Sequence, residues 1–180
     1  MLSLNNNYNI MKTIQLLKTL INIFFYLLCF SAFIYFSSLI LYFMPPFEFL
    51  PDGLVKTHTD VDNDTVLYAF TVVFTFAFIF FVKGIYHLRK TIPILIRGDY
   101  FSEDISKQFQ LSGLLFIIVG IVSLIVHIES QVYLNSMVWF GIDNQIYTFI
   151  FLIIIGLFFK LFSLVLKEAR IAKEENDLTI

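Results

Sequence analysis

Long apolar stretches alternate with short polar ones along this chain. Four stretches of 18 to 25 residues carry at most one charge each: Leu20–Met44, Thr65–Val82, Leu111–Ile128 and Gln145–Leu166. A helix needs about 20 residues to cross a hydrocarbon core of about 30 Å. Because a lipid-exposed backbone must hydrogen-bond within its own segment, and because the alternation typical of a membrane barrel is absent, each stretch predicts a membrane-spanning helix.

The pattern therefore predicts an all-α fold, a four-helix transmembrane bundle that forms one integral membrane domain over residues 1–180. We expect the spans at about residues 20–44, 65–86, 108–128 and 145–166, followed by a cytoplasmic helical tail over residues 167–180. The first apolar core is longer than a signal peptide's, which has about 7–15 residues, and no cleavage site follows it. We therefore expect a retained first helix, with residues 1–10 as a loose lead.

The positive charges are distributed unevenly between the predicted loops. The amino-terminal lead, the middle loop and the carboxyl-terminal segment hold eleven Lys and Arg residues, whereas the first and third loops hold one, Lys56. Cytoplasmic segments of membrane proteins carry the excess of Lys and Arg. The sequence thus predicts a multi-pass protein of the cell membrane, surrounded by the lipid bilayer, with both termini and the middle loop in the cytoplasm.

Composition supports a membrane protein and argues against a disulfide. The 180 residues are 58% hydrophobic and 14% charged, whereas soluble domains carry about 25% charged residues. The only cysteine, Cys29, lies within the first apolar stretch, so no intramolecular disulfide can form. We expect Cys29 to be a buried small apolar residue.

The one ionisable residue inside a predicted span is Lys160. It lies six residues, or about 9 Å, from the end of the fourth span, close enough for its amine to reach the membrane surface. The alternative is a functional buried lysine, although no carboxylate in the other three spans is available to pair with it.

Neither a catalytic nor a metal site is indicated. The "DVDND" segment, Asp60–Asp64, resembles the start of a calcium loop, but Thr65 and Thr71 occupy the positions where an EF-hand needs Gly and Glu. We interpret these acids and an Asp64/Thr65 cap as the start of the second helix. His58, His127 and Glu129 lack the spacing of zinc ligands. The sequence therefore predicts no enzyme, no cofactor and no resident metal.

Small residues mark the faces on which the helices pack. Gly113 and Gly120 are seven residues apart in the third span, as are Gly156 and Ser163 in the fourth. Small side chains allow membrane helices to approach closely. This spacing predicts a compact bundle.

The polar stretch "GDYFSEDISKQFQ", Gly98–Gln110, reads as a turn that starts the third helix. Pro93 should bend or end the second helix, and Gly98 begins the turn. Phe101 should pack back on the apolar layer, and Ser102 should cap a helix that begins near Glu103.

The fourth helix is predicted to continue without a break from about Gln145 to about Glu175, so helices 3 and 4 both extend into the cytoplasm. The middle loop has a formal charge of +2, and the tail from Lys167 has −2 when the terminal carboxylate is counted. One hypothesis is that the tail folds back onto the loop. The alternative is that both are simply solvated, since surface ion pairs contribute only about 0–1 kcal/mol.

Two motifs resemble a known family, the bacterial DUF2975 family of membrane proteins of unknown function. Its G-x-x-F-[ST] turn is matched by Gly98, Phe101 and Ser102, and its terminal motif is matched by Glu175, Asn176, Asp177, Leu178, Thr179 and Ile180. The resemblance runs from about the first helix to the end. It implies no catalytic role. It does imply a genetic context, because genes of this family often lie beside a gene for a helix-turn-helix transcriptional regulator. That regulator would then be the partner of the membrane protein.

The sequence thus favours a non-enzymatic regulatory or sensory membrane module. It would act through its cytoplasmic loop and tail, without binding nucleic acid directly. The alternative is a small transporter or channel subunit, working as a homo-oligomer. The candidate interaction residues are Gly98, Phe101, Ser102, Lys160, Glu174, Glu175, Asn176, Asp177, Leu178, Thr179 and Ile180.

Overall fold

The computed structural model describes residues 2–43, 61–135 and 144–178, and within these ranges the chain is helical apart from one turn. The four helices are α1 (Leu2–Phe43), α2 (Val61–Ile96), α3 (Glu103–Asn135) and α4 (Asn144–Leu178). Each is long and apolar enough to cross a membrane. The predicted all-α, four-helix fold is confirmed, and the predicted spans fall within these helices except for Met44, which lies outside the described residues.

Three helix ends differ from the sequence-based prediction. Helix α1 begins at Leu2, so the segment expected to be a loose lead is helical; extending an existing helix costs far less than nucleating one. Helix α2 begins at Val61, so the predicted cap at Asp64 and Thr65 lies inside its first turns. Pro93 does not end this helix, which continues to Ile96. A single exposed proline removes only one donor, and membrane helices tolerate that loss.

The helices pack in chain order. Helix α1 packs against α2, α2 against α3, and α3 against α4, while no other pair of helices is in contact among the described residues. The expected compact bundle is therefore an open row, in which α1 and α4 line opposite sides of a cavity without touching. Cys29 is correspondingly exposed on α1 rather than buried, because that helix has only one neighbour.

Close backbone contact joins α3 to α4. A Cβ atom on Gly113 would lie 2.6 Å from the carbonyl oxygen of Gly156, and one on Gly156 would lie 2.7 Å from the carbonyl oxygen of Gly113. Seven residues away on each helix, the Ser106 and Ser163 hydroxyls donate to each other's backbone carbonyl oxygens, both at 2.8 Å. These pairs make the helices antiparallel and confirm the packing face predicted from the small residues.

The remaining contacts orient α2 and α1. Ser112 is fully buried, and its hydroxyl donates to the Gly84 carbonyl oxygen at 3.0 Å, which fixes α2 against α3. On α1, the Tyr35 hydroxyl lies 2.9 Å from the Thr75 hydroxyl, and Tyr26 accepts a hydrogen bond from Arg89 at 3.2 Å. The order of these contacts makes α1 antiparallel to α2. The first half of α1, the α2–α3 turn and the last turns of α4 therefore share one end of the molecule, here named the turn end.

Candidate functional site at the turn end

Gly98 allows the chain to reverse between α2 and α3. Its φ angle is +78°, in the left-handed region that favours glycine. The Gly98 amide donates to the Leu95 carbonyl at 3.1 Å, and the Asp99 amide donates to the Ile94 carbonyl at 3.3 Å. These two bonds form a Schellman motif, which satisfies carbonyl groups left free at a helix end. The turn predicted at Gly98 is thus present, with α2 ending just before it.

Ser102 occupies the capping position of α3 but does not cap it with its side chain. Helix α3 begins at Glu103, with Glu103 and Asp104 in its first turn, as predicted. The Ser102 amide donates to the Asp99 carbonyl at 3.3 Å. Its hydroxyl oxygen is buried and has no hydrogen-bond partner among the described residues. The predicted side-chain cap is therefore wrong, because the hydroxyl makes no hydrogen bond to the free amides of α3.

The end of α4 reaches the turn through Arg170. This residue lies seven positions beyond Ser163, on the same face of α4, and its Nη1 atom is 3.2 Å from Glu103 Oε2. Its Nε atom is 3.6 Å from Glu174 Oε1 one turn further on. The tail does meet the turn, but as a continuous helix beside α3 rather than by folding back. The pairing also has the opposite polarity to the prediction, since the tail supplies the base and the loop supplies the acid.

A polar cleft of about 440 Å³ lies between the turn and the last turns of α4. Four of its ten lining residues are acids and two are bases, so its formal charge is −2. The acids at the end of α4 also lie at the negative end of the helix dipole, which adds to the negative potential. The lining residues are Gly98, Asp99, Tyr100, Phe101, Ser102, Glu103, Arg170, Lys173, Glu174 and Asp177.

This cleft brings together five of the sequence-predicted residues: Gly98, Phe101, Ser102, Glu174 and Asp177. Phe101, which was expected to pack back on the apolar layer, is 41% exposed and lines the cleft. Asp177 of the terminal motif therefore lies close to the Gly98–Ser102 turn, although it comes 75 residues after Ser102 in the sequence.

The other predicted residues lie elsewhere. Glu175, Asn176 and Leu178 are exposed on the last turns of α4, outside the cleft lining, and Leu178 is 87% exposed. Thr179 and Ile180 lie outside the described residues. Lys160 is exposed on α4, ten residues or about 15 Å before Arg170.

The candidate interaction residues predicted from the sequence do not include Asp99, Glu103, Arg170 and Lys173, which the cleft brings together. Arg170 carried a usable signal, because it continues the seven-residue spacing of Gly156 and Ser163. No group of His, Cys, Asp and Glu in the described ranges is arranged to hold a metal ion. His58, one of the three residues compared with zinc ligands above, lies outside those ranges.

Positive charge is concentrated towards the turn end. Eleven of the twelve Lys and Arg residues lie in the described ranges: nine lie in the half of a helix that is nearer the turn end, Arg97 lies in the turn itself, and Lys160 lies at the middle of α4. Four apolar helices with their basic residues gathered towards one end define a multi-pass membrane protein.

The chain belongs to a family described as "Protein of unknown function (DUF2975)", whose model matches residues 53–180. The match includes both family-like motifs but not α1, so it is shorter than the resemblance expected from the first helix onward. No curated protein and no solved structure shows significant similarity to the chain.

Proposed function

We propose that this protein is a non-enzymatic regulatory or sensory module of the cell membrane. Its working surface is the polar cleft at the turn end, which faces the cytoplasm together with both termini. One observation carries the proposal: the turn and the end of α4 form a single charged cleft, although they are distant in the sequence.

The orientation follows from the position of the bases. Ten of the eleven Lys and Arg residues of the described ranges lie towards the turn end, and the eleventh, Lys160, lies at the middle of α4; the cytoplasmic side of membrane proteins carries such an excess. A helix of 35 residues is about 52 Å long, which exceeds the hydrocarbon core by about 20 Å. The last turns of α4 would therefore stand in the cytoplasm, where a soluble partner has access to the cleft.

The charge of the cleft indicates the chemistry of that partner. Glu103 is 79% exposed and Glu174 is 66% exposed, and Arg170 neutralises them only in part. Acids at a helix carboxyl terminus are unfavourable unless a cation compensates them. The cleft therefore suits a partner with a basic surface. A helix-turn-helix regulator is such a partner, since proteins of this class carry Lys and Arg for contact with phosphates.

Transport is the less favoured function. Transporters and channels usually place ionisable groups or broken helices at mid-membrane depth. The cavity between α1 and α4 is lined almost entirely by apolar side chains, which supports the regulatory proposal over a path for polar solutes.

Co-purification of the tagged full chain from native membranes tests the proposal. Glu174→Lys reverses a charge in the cleft, and Glu168→Lys makes the same change on an exposed position of α4 outside it. We expect one basic partner to accompany the wild type and Glu168→Lys, and to be lost with Glu174→Lys or when Glu174–Ile180 is deleted.

A partner that both charge reversals release equally would contradict a role for the cleft. The absence of any partner, combined with flux of an ion or metabolite through liposomes containing the purified chain, would favour transport instead.

A further inference from the structure

The two halves of the turn end differ in charge. Helix α1 contains no acidic residue, and the only acids of α2, Asp62 and Asp64, lie at the opposite end of that helix. The bases of these two helices are Lys12, Lys18, Lys83, Arg89 and Lys90. The charged residues that α1 and α2 bring to the turn end are therefore all basic, whereas α3 and α4 bring acids as well as bases.

Exposed bases form a stripe along the outer face of α2. Lys83, Tyr86 and Lys90 are three and four residues apart, so they share one side of the helix, and all three are exposed. Arg97 continues the seven-residue spacing into the turn and is also exposed. Ile85, which lines the apolar cavity between α1 and α4, lies about 200° further round the helix than Lys83, at about 100° per residue. These four exposed residues, here named the basic stripe, therefore face away from the cavity.

Aromatic rings hold the bases beside the contact between α1 and α2. The Nζ atom of Lys90 lies 4.6 Å from the Tyr86 ring centroid, and the Arg89 guanidinium lies 4.9 Å from the ring centroid of Phe25 on α1. Lys18 comes seven residues before Phe25, so it lies on the same side of α1. A cation–π contact orients a flexible basic side chain without neutralising its charge. The bases of this face therefore keep their charge for an anion outside the protein.

The depth of the basic stripe indicates the kind of anion. Lys83 directly follows the charge-free stretch Thr65–Val82, and Lys90 lies about 10 Å further along the helix. This interval falls at the boundary between the hydrocarbon core and the headgroup layer, where tyrosines such as Tyr86 are common and lysines extend their amines outward. A soluble macromolecule does not reach a helix face at this depth, whereas the phosphates of the surrounding lipids do.

We propose that the basic stripe, with Lys18 of α1 beside it, binds the headgroups of anionic phospholipids in the leaflet at the turn end. Lys83 and Lys90 attract the headgroups, because bases close to an anionic lipid surface bind it electrostatically. The acids of α3 and α4 repel the same headgroups, so anionic lipid gathers on one side of the protein rather than around its whole circumference. The proposal depends neither on the function of the cleft nor on which side of the membrane the turn end faces.

Quenching of tryptophan fluorescence by brominated lipids tests the proposal with the full chain in phosphatidylcholine vesicles. The only natural tryptophan, Trp139, is replaced by phenylalanine. A new tryptophan is placed in the basic stripe by Tyr86→Trp or on α4 by Phe158→Trp, and both positions are exposed. They also lie at similar depth, because each is two residues beyond a glycine, Gly84 or Gly156, that contacts the same turn of α3.

The two probes should respond differently to the lipid headgroup. At position 86, brominated phosphatidylglycerol should quench with an apparent affinity about five-fold above that of brominated phosphatidylcholine, which corresponds to about 1 kcal/mol for a base near an anionic surface. At position 158 the two lipids should quench equally. High salt should reduce the preference at position 86, because screening weakens contacts between exposed charges. Equal quenching by both lipids at position 86, or the same preference at both positions, would overturn the proposal.

Two pairs of lysines separate the basic stripe from the overall charge of the chain. Lys83 and Lys90 are seven residues apart in the stripe, and Lys160 and Lys167 are seven residues apart and exposed on α4. Replacing both stripe lysines by glutamine should abolish the preference at position 86, whereas replacing both α4 lysines by glutamine should leave it unchanged. Replacing both stripe lysines by arginine should preserve it, because the charge remains. An equal loss of preference in the two glutamine double variants would overturn the proposal, since net charge alone would then attract the lipid.

Discussion

Gly113 and Gly156 face each other where α3 crosses α4, and each backbone occupies the space that a side chain on the other would need. A Cβ on Gly113 would lie 2.6 Å from Gly156 O and 2.9 Å from the backbone nitrogen of Lys160. Real Cβ atoms do not approach backbone atoms this closely, so a side chain at either position must separate the two helices.

Gly156→Ala is therefore expected to destabilise the protein. In an ordinary helix this change is favourable by about 1 kcal/mol, but here the gain is exceeded by overpacking, which costs about 1–3 kcal/mol. Thermal unfolding in detergent or nanodiscs should show a lower midpoint. Ala172→Val, which adds bulk at an exposed position of α4, is the control and should change the midpoint little. A midpoint raised by Gly156→Ala would contradict the close approach.

The neighbouring hydroxyls of Ser106 and Ser163 should couple these residues energetically through their mutual contact, because the backbone carbonyls that accept their hydrogen bonds remain when serine is replaced by alanine. Each hydroxyl donates to the partner's backbone carbonyl oxygen at 2.8 Å, and the two hydroxyl oxygens lie 3.0 Å apart. A double-mutant cycle with Ser106→Ala and Ser163→Ala should give a coupling free energy of about 0.6 kcal/mol, the usual value between membrane helices. Strictly additive effects would show that the two hydroxyls act independently.

Gly98 should tolerate asparagine better than alanine. Its φ of +78° costs an L-residue about 1–2 kcal/mol, and asparagine adopts this region more readily than alanine does. No atom lies within 4 Å of a Cβ placed there, so steric crowding does not contribute. Gly98→Ala should lower the unfolding midpoint more than Gly98→Asn. Equal midpoints would show that the turn relaxes without cost.

The contact of Arg170 with Glu103 should make a small, salt-dependent contribution. The side chains are 25% and 79% exposed, and ion pairs at such a surface are worth about 0.2–1 kcal/mol. A double-mutant cycle with Arg170→Gln and Glu103→Gln should give a coupling free energy in this range. The coupling should decrease between about 0.1 and 1 M salt, because the Debye length shortens from about 10 Å to about 3 Å. A coupling that does not change with salt would argue against an ionic contact.

The proposed orientation can be measured by labelling single cysteines. In a Cys29→Ser background, Tyr100→Cys places a thiol on the exposed turn and Glu129→Cys places one towards the opposite end of α3. A membrane-impermeant maleimide should label Tyr100→Cys only in inside-out vesicles and Glu129→Cys only in intact cells. The reverse pattern would put the cleft on the outer side of the membrane.

Helix number and one helix start could be predicted from the sequence because their signals are local. Four apolar stretches gave the four helices, and the Gly98 turn with its following acids gave the start of α3 at Glu103. Which face of each helix packs was harder to predict, because a membrane helix is apolar on all sides and has no amphipathic pattern. Only the glycines and serines of α3 and α4 carried that information.

The incorrect predictions concern side-chain contacts, which depend on residues that are close in space but distant in the sequence. The hydroxyl of Ser102 does not cap α3, although residue type and position both suggested it. Net charges of +2 and −2 suggested that a basic loop meets an acidic tail, whereas the actual pair is Arg170 with Glu103. A segment's net charge does not specify which of its side chains share a helix face, and that face decided the pairing.

The contact surface of α3 and α4 has a mechanical consequence. The backbones of Gly113 and Gly156 are in contact, and Ser106 and Ser163 are hydrogen-bonded to each other's carbonyls. Neither helix can rotate alone without breaking these contacts, so α3 and α4 should move as one rigid body. Bilayers that are thinner or thicker than the hydrophobic length of a helix change its tilt. A change in bilayer thickness would then swing α3 and α4 together and would displace the cleft at their end along an arc over the membrane surface.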